Sequence, residues 1–398
     1  MKIVIFCNAD PFKPESGYQI PIYNRLKYFN YDECLVIINS KSRNTKSYKK
    51  KIFEKDISVI EANIFISQNI FSRLSAFVFS NKPFFATNRI NEKVINSIKN
   101  KLKKFDSNVI YFEGEVFGTM HKYFNSKNYK IISINDSLTL SYHEEFRNNI
   151  NKNYFVLLFK KINYLKIKNY EFSNYHLFNY CQVVSEIDSN FLKKLNNKIN
   201  TNVQNIGVDF NYFKINKSIS INDKTMLIVG NLVGGNNTYT KLFIQDIWIP
   251  FIKKNPAYNL CIISRTLPDF MDENLLARNN IKVENYVDNL PDYYSKSFVV
   301  ISPVMKKCGM QNKVLEAMSM NKVVIGYKDS FSGISNSTNM KHYIGADDAN
   351  DFSSLLQNIV DGKINLSKIE IDARNNIINN YNWESLINQQ FNYLTNKL

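Results

Sequence analysis

Between Ser297 and Tyr327 the chain reads SFVVISPVMKKCGMQNKVLEAMSMNKVVIGY, and few folds can accommodate that stretch. The apolar run Phe298 to Val304 does not alternate, so a strand built from it must be buried on both faces, as in a parallel sheet covered by helices. Val323 to Tyr327 is a second such run and predicts the neighbouring parallel strand. Between them lie a polar loop, Lys306 to Gln311, with Gly309 its single glycine, and a short helix. Asn312 is the expected N-cap, and Val314, Leu315 and Met318 the inward face. In open α/β sheets ligands collect beyond the carboxyl ends of the strands. A helix N-terminus there offers unpaired N–H groups and a partial positive charge to an anion. Lys313 stands in the first turn, where a cation is disfavoured by about 0.3–1 kcal/mol unless an anion is near. Glu316, three residues on, shares its helix face. A cation beside a hydrogen-bond acceptor suits the diphosphate and ribose hydroxyls of a nucleotide. Spacing alone equally allows Lys313 and Glu316 to pair with each other on a solvated helix.

The segment GMQNKVLEAMSMNKVVIGY resembles the donor-site segment of family-4 glycosyltransferases of the GT-B fold. It is closest to the subset linked to exosortase (PEP-CTERM) systems, which reads roughly G-I-Q-N-K-V-L-E-A-M-A-M-G-K-P-V-V. The resemblance implies an α/β protein with two Rossmann-like domains facing a central cleft. Residues 1–205 would form the acceptor domain and 206–375 the nucleotide-sugar domain, with 376–398 a C-terminal helix returning to the first. It implies donor contacts from Gly309, Gln311, Asn312, Lys313 and Glu316, and from Gly230 and Asn231 after an earlier strand. Arg265 is expected at the same cleft edge, and Val287 where relatives receive the nucleobase through backbone groups. Gly17 stands where the first loop meets acceptor or phosphates. Catalysis would rest on Lys313, stabilising the leaving diphosphate, with Asp136 in the aspartate turn of the first domain. Many relatives have an arginine at the place of Asn231, a departure that leaves Lys306 or Lys307 to assist Lys313. Many also carry a glutamate eight residues before the ribose-binding glutamate. Cys308 occupies that place here, a small side chain that leaves the sugar room.

The rest of the chain repeats the β/α alternation. Lys2 to Asn8, Cys34 to Asn39, Asn108 to Phe112, Lys130 to Ile134 and Gln182 to Ser185 read as strands of the first half. Residues 225–232, Pro256 to Ile263 and Lys282 to Val287 read as strands of the second. KSYKKKIFEK is a solvated loop or edge. Glu113 and Glu115 sit at a strand end, where carboxylates serve chemistry or a helix N-terminus. Asp136 has an alternative use as the N-cap of the following helix. Asn153 to Cys181 reads as helix; its aromatics at helical spacing are expected to be core, with an anionic bilayer as the other use. Asn205-Ile-Gly-Val-Asp209, followed by Phe213, resembles the family's interdomain linker, and the closing helices around Tyr381-Asn-Trp383 complete the likeness.

Composition narrows the partners. The net charge is +16, and residues 1–200 hold 31 Lys and Arg against 17 Asp and Glu. No nucleic-acid signature accompanies that charge, so nucleic acid is not expected and an anionic membrane surface or acceptor is. The expected ligands are a nucleotide-diphosphate sugar and a glycan or lipid-linked acceptor. Five scattered cysteines without C-x-x-C spacing suit a reducing cytoplasm, and the basic N-terminal half suits a place at the inner membrane face. MKIVIFCNADPF reads as a first strand rather than a leader. No D-x-D follows a strand end and the four histidines lack ligand spacing, so no metal or other cofactor is expected. A nucleotide-sugar epimerase and a non-catalytic subunit of a glycosylation complex share this fold and remain as alternatives.

Overall fold

The protein is described by a computed structural model covering all residues but 15, 43, 125–126, 148–153, 217, 223, 231, 234, 269 and 286. The chain divides into two compact units. The first comprises Met1–His143, Asn151–Asn205 and Glu384–Leu398; the second comprises Glu144–Ile150 and Ile206–Trp383.

In the first unit the strands are β1 (Lys2–Cys7), β2 (Glu33–Asn39), β3 (Lys46–Ile52), β4 (Lys55–Ala62), β5 (Phe65–Ile66), β6 (Arg89–Ile90), β7 (Val109–Glu113), β8 (Tyr129–Ser133), β9 (Tyr180–Val183) and β10 (Thr201–Val203). Eight of them form one sheet in the order β10-β9-β8-β7-β1-β2-β4-β3. All its pairings are parallel except β3–β4. The central strands β1 and β7 are buried nearly throughout because their apolar runs face helices on both sides. The KSYKKKI segment is the exposed edge strand β3, and its lysines discourage a further strand from pairing there. The helices are α1 (Gln19–Tyr28), α2 (Ile70–Phe79), α3 (Glu92–Phe105), α4 (Leu138–Arg147), α5 (Tyr154–Asn174) and α6 (Glu186–Leu195). The expected strand Gln182 to Ser185 lies two residues earlier, as β9, because Ser185 caps α6 through the Asp188 N–H. The aromatics of α5 meet the core expectation only in part: Tyr170 is buried, while Tyr154, Phe155 and Phe172 are exposed. Only one side of the helix, with Asn163, Ile167 and Tyr170, is buried, and Leu158, Ile162 and Leu165 face solvent.

The second unit has β11 (Thr225–Val229), β12 (Asn259–Ile263), β13 (Ile281–Glu284), β14 (Val299–Ser302), β15 (Val324–Tyr327) and β16 (Ile344–Ala346). These form an all-parallel sheet ordered β13-β12-β11-β14-β15-β16. Its helices are α7 (Gly235–Phe243), α8 (Ile249–Lys254), α9 (Glu273–Arg278), α10 (Leu290–Lys296), α11 (Asn312–Ser319), α12 (Ala349–Val360) and α13 (Leu366–Asn380). α14 (Trp383–Thr395) begins in this unit, and its residues from Glu384 group with the first. A π-helical turn, Ile244–Trp248, joins α7 to α8 just before Pro250, which has no N–H to donate to the preceding turn. One core, with Trp248 and Phe352, lies on one sheet face; another, with Val314, Met318 and Tyr294, lies on the other. In the linker stretch, Val208 N–H donates to the Tyr381 carbonyl at 2.8 Å. A Cβ on Gly207 would lie 2.7 Å from the Trp383 indole, so only glycine lets the two segments close.

Candidate functional site

The strand order of the second unit reverses between β11 and β14, the kind of switch point at which open α/β sheets receive ligands beyond the carboxyl ends of their strands. Gly230 ends β11 on one side; loop 303–311 and α11 follow β14 on the other. Gln311, not Asn312, is the capping residue of α11, and its side chain makes no cap hydrogen bond. Among the described residues the first turn thus opens without a capping side-chain acceptor on its N–H groups. Lys313 reaches back from this turn to β11, where a Cβ on Gly230 would lie 3.4 Å from Nζ. Gly230 adopts φ +148°, a backbone conformation that side chains disfavour, so it presents bare backbone at the switch point.

Lys313 and Glu316 do not form an ion pair: among the described residues, Lys313 Nζ has no carboxylate oxygen within 4.0 Å. Glu316 instead accepts a 3.0 Å hydrogen bond from the Tyr294 hydroxyl, which also lies 3.3 Å from the Lys313 carbonyl. Tyr294 is wholly buried on α10 and leaves the other Glu316 oxygen for a ligand. Burial pushes the Lys313 ammonium down to about 8, with Glu316 pulling it upward. Burial lifts Glu316 to about 7, against the Tyr294 hydrogen bond and the Lys313 charge. Lys313 is therefore charged below about pH 8 and loses its charge above it. A nucleoside diphosphate that needs this ammonium is expected to bind progressively more weakly as pH rises from about 7 to about 10, and Lys313→Arg to flatten the profile. Calorimetric titration with the diphosphate across that range reads the slope, and a flat wild-type profile would contradict it.

The loop before α11 is held from behind. Gly309 has φ +59°, and a Cβ on Gly333 would sit 1.8 Å from the Gly309 carbonyl oxygen. Ser330 Oγ donates toward the carbonyls of Ser302 and Val304, at 2.9 and 2.8 Å. Cys308, within this loop, is buried. Gly333→Ala is expected to destabilise the protein by about 1–3 kcal/mol and to weaken nucleotide binding, because backbone rather than a flexible side chain must yield. Denaturant midpoints and nucleotide titration measure both, and unchanged values would show that the loop can move aside.

The remaining expected residues spread out. Arg265 follows β12 on an exposed turn, and Val287 follows β13 half-buried against the core. Asn231 lies outside the described residues. Lys307 Nζ is 3.4 Å from Asp329. A cavity of about 890 Å³, lined among others by Leu227, Cys261, Lys282 and Tyr293, runs along β11–β13 beside α10 and includes none of the expected site residues.

Gly17 and Asp136 belong to the first unit, so they are not brought together with Lys313 within either one. There the strand order reverses between β1 and β7. Gly17 lies in an exposed turn, while the adjacent Tyr18 anchors the loop. Its hydroxyl donates to the Glu113 carbonyl and accepts from the Asn8 N–H at 3.0 Å, so it straddles the switch point. A Cβ on Gly114 would lie 3.1 Å from the Tyr18 ring. Asp136 follows β8, but the capping job falls to Ser137, whose hydroxyl accepts from the Leu140 N–H at 3.2 Å. Ser137 and the Leu138 N–H are themselves held by buried Glu171. Glu113 has a structural role: it pairs with Arg25, whose guanidinium lies 4.2 Å from the Tyr111 ring centroid. Burial raises Glu115 to about 7, with Asp136 adding to the rise. All five cysteines are buried thiols. Among the described residues no group of three or more His, Cys, Asp or Glu is placed to hold a metal ion.

Sequence reasoning passed over Tyr294, Gly333 and Tyr18. For Gly333 a signal existed, since only 12 of 398 residues are glycine and a glycine in so poor a chain points to a backbone need. Tyr294 and Tyr18 had none, because a buried hydroxyl and an apolar ring look alike in sequence.

No curated protein matches the chain in sequence. Over the whole chain the structure is similar to sucrose-phosphate synthase from Thermosynechococcus elongatus, at 12% identity and TM-score 0.71, covering 99% of this chain and 98% of that one. It is similar to HepE of Anabaena solved with UDP, at 14% identity and TM-score 0.65, with both chains fully covered. A trehalose-6-phosphate protein of E. coli bound with UDP-2-fluoro glucose is similar at 11% identity and TM-score 0.65, with 99% of each chain covered. Residues 223–361 match the family model described as glycosyl transferases group 1, and the chain as a whole has the GT-B fold.

Proposed function

We propose that this protein is a glycosyltransferase that moves a hexosyl or N-acetylhexosaminyl group from a nucleotide-diphosphate sugar to a glycan or lipid-linked acceptor. The observation that carries the reading is Lys313: a first-turn ammonium at the β11–β14 switch point, aimed at bare backbone, with no carboxylate partner among the described residues. The donor diphosphate supplies the missing anion. Similar proteins solved with UDP or a UDP sugar support that choice of ligand. Lys313 and the open N–H groups of α11 neutralise the charge that grows on the diphosphate as the sugar leaves. Glu316, oriented by Tyr294, accepts the ribose hydroxyls, and Gly309 gives the sugar close approach to backbone. Gln311 and Asn312 border the phosphates, Arg265 the cleft edge, and Val287 the base. Gly17 and Asp136 serve the acceptor side.

Transfer proceeds with retention, the donor phosphate itself receiving the acceptor proton, so the protein contributes chiefly positioning and charge stabilisation. The likeness of residues 309–327 to the exosortase-linked subset supports a place in bacterial surface polysaccharide or glycoconjugate synthesis, at the cytoplasmic face of the membrane. Asp136→Asn is expected to reduce transfer more than donor binding; a loss of thermal stability with unchanged transfer per folded molecule would make Asp136 structural instead.

A panel of nucleotide sugars, incubated with and without lipid-linked and soluble glycan acceptors, tests the whole reading. Product that appears only with acceptor supports it. Donor consumed without acceptor would make the protein an epimerase, and failure to bind any nucleotide sugar would make it a non-catalytic subunit.

A further inference from the structure

Two neighbouring helices of the first unit expose what soluble helices hide. In α2 only Phe77 is buried, while Phe71, Val78 and Phe79 are 78%, 66% and 86% exposed. Phe71 and Val78 fall seven residues apart and so share one side of the helix. In α5 the inner side holds Asn163, Ile167 and Tyr170, while Leu158, Ile162 and Leu165, at i, i+4 and i+7, form an outer stripe 40–62% exposed. The helices pack together: the Phe77 and Phe159 rings are 4.9 Å apart, and Lys166 Nζ donates to the Ser80 carbonyl at 2.7 Å. Exposed apolar area concentrated on adjacent helices marks an interaction surface rather than scattered surface residues.

The surrounding charge selects the occupant. Residues 66–90 contain three Lys or Arg and residues 154–170 contain four, with no Asp or Glu in either segment. Lys82, Arg89, Lys161 and Lys168 of these are exposed. A second copy of this chain would set two such cationic surfaces against each other. An anionic bilayer offers acyl chains for the apolar stripes and phosphates for the lysines. We propose that α2 and α5 together form the surface by which this protein seats on an anionic lipid bilayer. The inference rests on the two helices and not on the transferase reading; with that reading, it favours a lipid-linked acceptor delivered from the membrane.

Co-sedimentation of the full chain with vesicles of phosphatidylcholine containing about one quarter phosphatidylglycerol tests it. Wild-type protein is expected to partition onto these vesicles, less so as salt rises, and at least tenfold less onto phosphatidylcholine alone. The variants Phe71→Ser/Val78→Ser/Phe79→Ser and Leu158→Ser/Leu165→Ser change only exposed positions. Each is expected to lower partitioning at least tenfold while its thermal midpoint and nucleoside diphosphate affinity stay at wild-type values. No partitioning at low salt, equal partitioning by the variants, or equal partitioning onto phosphatidylcholine alone would overturn the proposal. Sedimentation velocity without vesicles covers the other occupant: self-association abolished by the same variants would assign the surface to a second copy of the chain. Failure of vesicle binding with intact nucleotide binding would leave the transferase reading standing.

Discussion

Lys313→Ala is expected to lower turnover with saturating nucleotide sugar by about 10²-fold or more, the size of effect seen when one preorganised stabiliser of developing charge is removed. The expectation follows from position. The ammonium enters from the first turn of α11, projects to the bare backbone of Gly230, and is partly stripped of water, which lowers its proton affinity. A charge held there before substrate arrives needs no reorganisation when the diphosphate departs, and weak local screening makes it worth more than in water. Donor binding should weaken by less than turnover, because charge on the bridging oxygen is greater in the transition state than in the bound donor. Single-turnover kinetics beside equilibrium titration separates the two. Wild-type turnover in Lys313→Ala would remove this residue from the mechanism.

Glu113→Ala should destabilise the protein by about 3–5 kcal/mol. Arg25 is fully buried between Tyr111 and Gln390, and Glu113 is its only ion-pair partner among the described residues. Removing the carboxylate strands a guanidinium whose burial disfavours the charged form and lowers its proton affinity. Replacing both partners, as Arg25→Met with Glu113→Leu, should recover most of the loss, since two apolar chains of similar size leave nothing uncompensated. Chemical denaturation of the single and double variants measures the coupling. Equal losses in both would mean that packing, rather than the stranded charge, sets the cost.

Local order carried the architecture. Uninterrupted apolar runs such as Ile3 to Cys7 and Val299 to Ile301 can be satisfied only by strands covered on both faces, and their spacing leaves room for crossover helices. The division into two Rossmann-like domains came from the family resemblance, but parallel β/α layering was legible from residues alone. So was the cation at the start of α11, because a first-turn lysine conflicts with the helix dipole wherever the helix stands. What those side chains touch depended on tertiary contacts that one-dimensional spacing does not encode. Glu316 is three residues from Lys313 yet bonds to Tyr294, twenty-two residues away, because α10 and α11 pack on the same face of the sheet. Asp136 looked like a cap, but buried Glu171 orients its neighbour Ser137 for that task. The aromatics of α5 read as core, yet Tyr154 and Phe155 are exposed, since apolar residues at helical spacing read the same whether another element covers them or not. Periodicity is a property of one segment and determines how that segment folds; coverage and pairing are properties of two segments meeting, and only the folded chain brings them together.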